Sequence, residues 1–474
     1  MTFTRDMAWH NLDLTYRSSI AHQLARYALG LKYEMVPDDA IHQLKRSLLD
    51  ALGCAIGAYE APGRLICEAA AKELGGPEEA TVFCSGMRTS VLNATLVNTF
   101  LVRFLDFNDS GGGGHNSDCL SSILAVAERK KASGKDFMMS VVVSYELGGR
   151  FRDACGGGLE GLEDKGWLGE VRGGITMPPA IGRLMGLNEE QIANAIGLTA
   201  SQRFPLLILD THHEENTMAK NLRFGAICYD AIVACTFARL GFTGPVRVVE
   251  GEGGMNQVLM HNEMELNKLV DFSGWRLRRV RHKFLPANYV TQGHVALTMA
   301  IVKENDLKPE DIAAVKITVG AREKLHAADH PAKKYPRNAE SADHGAYFAN
   351  AIVIKERELG PDQYLPEKFT DPVILDLIEK ITVVADPKWP PATYASTSEI
   401  TTKDGRHFKK HADVPKGHFD DPLTDAEIED KVRKMMVKHL PESRIKKIID
   451  MVWNLEKVDD IGKLVALMVF PKRA

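Results

Sequence analysis

The densest run of groups able to do acid–base chemistry is Leu105-Asp106-Phe107-Asn108-Asp109-Ser110, four glycines, then His115-Asn116-Ser117-Asp118. Asp106, Asp109 and His115 place carboxylates and an imidazole around backbone without side-chain bulk, so they can converge on a small ligand. The same spacing also describes an Asp-rich helix end followed by a flexible turn, and both readings stay open on spacing alone.

Three further segments carry ionisable groups. Lys220, in Asn216-Thr217-Met218-Ala219-Lys220, stands at the mouth of an apolar helix, where it can bind a carboxylate or, if desolvated, exchange a proton. His212 and His213 precede it, but adjacent residues point their rings apart, so the pair makes a poor metal site. Arg281-His282-Lys283-Phe284-Leu285-Pro286-Ala287-Asn288-Tyr289, with Gln292 and His294 after it, clusters cations near an inferred domain boundary, which suits an anionic substrate. Glu340-Ser341-Ala342-Asp343-His344-Gly345 lies just before another apolar helix and reads equally as a helix cap. The glycine-rich Gly251-Glu252-Gly253-Gly254 fits neither dinucleotide nor P-loop patterns.

The elements that must hold these residues divide the chain. From about residue 19 to 271 helix follows helix. In 36–57, Ile41, Leu44, Leu48, Leu49, Leu52 and Ile56 recur at helical period, and 221–240 is apolar nearly all round. Asn188 with Gln191, and Thr424 with Glu427, form capping boxes. Between 272 and 415 the texture changes. Residues 313–320 and 381–385 read as β-branched strands, 398–402 and 407–413 as a hairpin across Asp404-Gly405, and 293–303 and 345–358 as helices. Residues 416–474 return to helix. The expected fold is multi-domain: a large all-helical bundle built from 1–271 and 416–474, with an inserted α+β unit at 272–415.

Composition narrows the class. The 474 residues are 45% hydrophobic and 26% charged, in the ordinary globular range, with a formal net charge of −4 and no basic stripe for nucleic acid. No stretch reaches the length of a membrane span and the N-terminus is not signal-like, so a cytoplasmic location is expected. Seven scattered cysteines without a C-x-x-C pair argue against disulfides and a structural zinc site; neither a metal nor any other cofactor is expected.

Taken in order, these segments resemble the MmgE/PrpD family. Residues 45–57 (KRSLLDALGCAIG) are similar to its early helix, and LDFNDSGGGGHNSD to its L-D-F-N-D-T followed by G-H-P-S-D. VVSYELGGRF (142–151), ANAIGLTASQ (193–202), RLGFTGPVRVVEG (239–251), ESADH (340–344) and the Asp404-Gly405 hairpin match in the same order. The resemblance implies a helical domain with an inserted lid, commonly in a homodimer, and proton removal next to a carboxylate as the shared chemistry. It implies His115 as the proton-transfer residue, Asp106 and Asp109 as its orienting partners and Lys220 as a further catalytic group. Lys283, Arg281, Tyr289, His294, Asp343 and His344 would then contact a small polycarboxylate.

The leading expectation is a cofactor-independent hydro-lyase acting on a hydroxy-polycarboxylate such as 2-methylcitrate. An epimerase or a decarboxylase of a related acid (iminodisuccinate, cis-aconitate) shares the first step, and an inactive polycarboxylate-binding homologue is the alternative of a different class. Three departures bear on the choice. Asn116 replaces the family's proline after the histidine; Leu168 follows Gly166-Trp167 where many members carry histidine; and no histidine stands near Val290.

Overall fold

The structure, a computed structural model, describes residues 12–111, 114–156, 160–211 and 213–470. His212, residues 112–113 within the four-glycine run and residues 157–159 lie outside them. The protein is α-rich and holds two large hydrophobic cores. One runs from Ile20 to Val280 and takes in Leu423 to Met468; the other runs from Leu285 to Ile400. The C-terminal segment therefore packs back on the first helices, and Leu277 and Val280, beyond residue 271, still belong to the helical core.

Close approach makes that return possible. The helix Asp38–Gly57 packs against Asp425–Met436. A Cβ at Gly53 would lie 2.8 Å from Met435 Cε, and one at Gly57 3.1 Å from Met435 Cβ. Small residues at these two positions let the helices touch where larger ones would force them apart. Lys431, on the returning helix, donates to the carbonyls of Phe107 at 2.7 Å and Lys283 at 2.9 Å and pairs with Asp50. One buried ammonium thus ties together two segments that carry candidate site residues.

Besides the two-residue strands β1 (Ala80–Thr81) and β2 (Arg88–Thr89), which pair with each other, all strands lie in the second core. They are β3 (Ile312–Val319), β4 (Ile381–Ala385), β5 (Ser396–Thr402) and β6 (His407–Ala412), ordered β4-β3-β5-β6. β3 and β4 are parallel, joined by the long helical crossover such pairs require; the other pairs are antiparallel. In β3, Val315, Ile317 and Val319 face the core, and an irregularity between Ile312 and Ala314 breaks the alternation before them. The helices Gln292–Glu304 and Ala346–Glu356 pack on each other and on the sheet. The hairpin turns at Gly405, whose φ of +88° needs no Cβ penalty.

Both predicted capping boxes form, at Asn188–Gln191 and Thr424–Glu427. No helix of the described residues is long and apolar enough to cross a membrane.

Candidate functional site

A cavity of about 200 Å3 lies between the two units. The helical unit lines it with Arg103, Asp106, His115 and Asp210, and the second unit with Arg322, Lys333, His344 and Tyr394. Asp106 reaches it because the helix Val91–Arg103 ends in a turn that puts Asp106 at φ +46°, a left-handed conformation that Asp tolerates better than most residues. Its amide donates to the Arg103 carbonyl at 3.0 Å, and the Arg103 guanidinium donates to Asp106 Oδ1.

The two Asp106 oxygens serve different partners. Oδ2 accepts from Lys283 Nζ at 2.8 Å, while Oδ1 lies 3.3 Å from His115 Nε2. His115 is fixed from behind, since Arg172 donates to its carbonyl at 3.2 Å and to Asn116 Oδ1 at 3.2 Å. Its Nδ1 is buried and has no hydrogen-bond partner among the described residues.

A second cluster abuts the first. Lys220 is fully buried in the turn Met218–Asn221 and donates to both oxygens of Asp343 at 3.1 Å, with His344 Nδ1 also at 3.1 Å. The other ring nitrogen of His344, Nε2, lies 3.4 Å from Asp210 Oδ1, and Asp210 in turn accepts from Arg223 at 2.6 Å. Arg223 also pairs with Glu170 at 3.0 Å.

Burial and these charges set the protonation states. Burial opposes it, yet Arg103 and Lys283 hold the Asp106 carboxyl well below the usual range. Burial, with Arg103 and Lys283 nearby, pushes the His115 imidazole far down, so it is neutral. Burial lowers Lys283 to about 8 even though Asp106 opposes the shift. Asp210 is held low against burial by Arg223 and His344. Glu163, also facing the cavity, is raised to about 7 by burial and by Asp210 and Glu170.

Of the residues singled out from sequence, Asp106, His115, Arg281, Lys283, Tyr289 and His344 line the cavity, and Lys220 and Asp343 stand directly against His344. Two do not reach it. Asp109 is completely buried beside the loop: Oδ1 accepts from the Ser117 amide at 3.0 Å and hydroxyl at 2.6 Å, and Oδ2 from Tyr145 at 2.7 Å. Those bonds use its acceptors to shape the turn around His115 rather than to meet a substrate. His294 faces inward on the helix Gln292–Glu304, its Nδ1 2.8 Å from Asn350 Nδ2, within the second core.

Several lining residues carried no signal in the sequence. Arg103, Asp210 and Arg223 look like ordinary helix-end charges, and Glu163, Arg322 and Lys333 like solvated ones. Two of the three departures noted above, Leu168 and Val290, line the cavity.

One ligand atom each from Asp106, Asp343 and His344 lies within 4.8 Å of the others, a spacing that could hold a metal ion. Lys283 and Lys220 already bond those two carboxylates, so a cation there would have to displace or abut buried ammonium groups.

This α-rich architecture, with an ionisable cavity between two cores, defines a class by sequence as well. The MmgE/PrpD N-terminal domain model matches residues 22–267 and the C-terminal domain model residues 285–457. The chain belongs to the MmgE/PrpD family. It is 24% identical to the cis-aconitate decarboxylase-like protein oryM of Aspergillus oryzae, covering 96% of this chain and 98% of that one. It is 23% identical to the cis-aconitate decarboxylase of Homo sapiens over 96% of this chain and 95% of that one. It is 26% identical to the 2-methylcitrate dehydratase of Escherichia coli over 82% and 84% of the two chains.

Proposed function

We propose that this protein is a lyase that removes a proton next to a carboxylate of a small hydroxy-polycarboxylate and expels the neighbouring hydroxyl. The observation that carries the reading is Asp106 between His115 and Lys283. Neutral His115, lining the cavity beside Asp106, acts as the base. Lys283, protonated below about 8, supplies the positive charge that stabilises the enediolate-like intermediate and a proton for the departing hydroxyl. Lys220, held by Asp343 and His344, adds a second fixed cation. No step calls for a redox or carrier cofactor. The family resemblance further supports a homodimer, which sedimentation would measure.

Decarboxylation of a substrate such as cis-aconitate is the second reading. It is favoured by the relatives named for that reaction, which span nearly the whole chain. Leu168 weighs against it, because it puts an apolar wall where many relatives place a histidine.

The test is a screen of citrate, 2-methylcitrate, cis-aconitate, tartrate and iminodisuccinate in deuterium oxide. Incorporation of deuterium next to a carboxylate is expected, together with alkene absorbance from a hydroxy acid. Exchange without an alkene would favour an epimerase, and carbon dioxide release the decarboxylase. Ligand-induced thermal stabilisation with no exchange for any acid would overturn the catalytic reading in favour of a binding protein.

A further inference from the structure

Most charges that face the cavity are met inside the protein. Arg103 serves Asp106, Arg223 serves Glu170 and Asp210, and Arg322 donates to Glu163. The balance is still uneven, since seven arginines and lysines line the cavity against four carboxylates. Among the described residues, two of those cations have neither a side-chain hydrogen bond, an ion pair nor a ring contact. Lys333 is 1% exposed, faces the cavity and makes no side-chain hydrogen bond or ion pair among the described residues. Arg152, part-buried at the same cavity, makes none through its side chain.

The two have different charged surroundings. The groups that act electrostatically on Lys333 include Asp210, Lys220, Asp343 and Asp106, all of the proton-transfer cluster. Those that act on Arg152 are Arg281, Tyr394, Asp153 and Arg279, with no member in common. Arg281 itself lies over the rings of Tyr289 at 4.2 Å and Tyr394 at 4.9 Å, and its buried Nε lacks a hydrogen-bond partner.

A buried ammonium without a directly paired counter-ion opposes folding, and Asp210, Asp343 and Asp106 favour its charge only from beyond ion-pair distance. The Lys333 backbone is nonetheless held in place. Its amide donates to the His330 carbonyl at 2.9 Å, and its own carbonyl sits where a Cβ on Gly345 would come within 2.4 Å. A buried cation with no direct partner, facing a cavity, is what an anion subsite requires.

We propose that Lys333 and Arg152 are the two ends of an anion clamp that selects substrates with a carboxylate at each end, Lys333 beside the proton-transfer groups and Arg152, with Arg281, at the distal end. The surplus of positive charge fits a tricarboxylate better than a dicarboxylate, with the third carboxylate next to the carbon that loses its proton. This deepens the polycarboxylate reading and rests on it, but not on turnover.

The test is calorimetric binding of propane-1,2,3-tricarboxylate, which has no hydroxyl to lose, to the full chain and its variants. Lys333→Met and Arg152→Met should each weaken binding by about 10- to 100-fold, the loss of a hydrogen bond to a charged group. The double variant should lose about the product of the two. Lys333→Arg should stay within a few-fold of wild type. Because the unpaired charge is removed, Lys333→Met should also melt at a higher temperature than wild type without ligand. Wild-type affinity in Lys333→Met, or a lowered melting temperature together with unchanged affinity, would overturn the clamp. Absence of deuterium exchange in wild type with these binding losses intact would remove the catalytic reading and leave the clamp standing.

Discussion

Lys283 holds Asp106 twice, donating from one ammonium to the side-chain Oδ2 at 2.8 Å and to the backbone carbonyl at 2.6 Å. The lysine therefore fixes the left-handed turn at Asp106 as well as its carboxylate, and its own backbone is fixed by Lys431. A change in the charge of Lys283 should be felt directly in the chemistry.

That charge is lost at an accessible pH. Burial lowers Lys283 to about 8, so its ammonium form dominates below that value and disappears as pH rises through it. The pH profile of kcat/KM, which reports groups of the free enzyme, should break near 8 and fall about ten-fold per pH unit above it. Lys283→Arg should abolish the break, because guanidinium does not titrate there. Retained activity in that variant assigns a purely electrostatic role; a flat wild-type profile between pH 7 and 9 would exclude Lys283 from the rate.

His115→Gln should lower both the deuterium exchange rate and kcat by about 10²- to 10⁴-fold, the usual share of a general base. Affinity for propane-1,2,3-tricarboxylate should change little, since the ring is neutral. A change confined to KM would refute the proton-transfer role.

Asp109 should behave as a scaffold residue. Tyr145→Phe removes one of its three hydrogen bonds and should cost roughly 1–3 kcal/mol of stability in urea denaturation. Asp109→Asn sets a donor amide against the Ser117 or Tyr145 donors and should cost at least as much. In both variants the activity that remains should keep the wild-type pH profile. A new titration in the profile would put Asp109 in the proton path after all.

How much of this was legible in the sequence follows the physics of each feature. Strand β4 coincides with the β-branched run at 381–385, and the hairpin with Asp404-Gly405, because local propensity and turn chemistry decide them. Asp106, His115, Lys220 and Lys283 were readable as chemistry-bearing types, and the structure brings them into two adjoining clusters. Lys333 was not, since Pro331-Ala332-Lys333-Lys334 reads as a basic, solvated helix end. Its neighbour Lys334 is such a residue, paired with Glu379 on the surface. Which of the two lysines is buried is decided by tertiary packing, such as the close approach of Gly345 to the Lys333 carbonyl. Asp109 fails in the opposite direction, because sequence shows a carboxylate in a polar run but not that Ser117 and Tyr145 consume its acceptors.

Glu163 supplies a last prediction. It belongs to the helical unit, yet it accepts from Arg322 and lies 3.9 Å from His326 Nε2, both on the helix Ala321–Ala327 of the second unit. Burial, with Asp210 and Glu170 alongside, raises its carboxyl to about 7, so the Arg322 contact does not outweigh the cost of its charge. A raised carboxyl binds extra protons in the folded state between its ordinary value and 7. Its contribution to stability is therefore present at low pH and lost as pH rises through that window. Glu163→Gln, which imitates the protonated form, should match wild type near pH 5 and exceed it at pH 8, by on the order of 1–3 kcal/mol. Urea midpoints of the two proteins at both pH values measure this, and equal differences at pH 5 and pH 8 would show that Glu163 is ionised throughout and that the contact between the units is an ordinary ion pair.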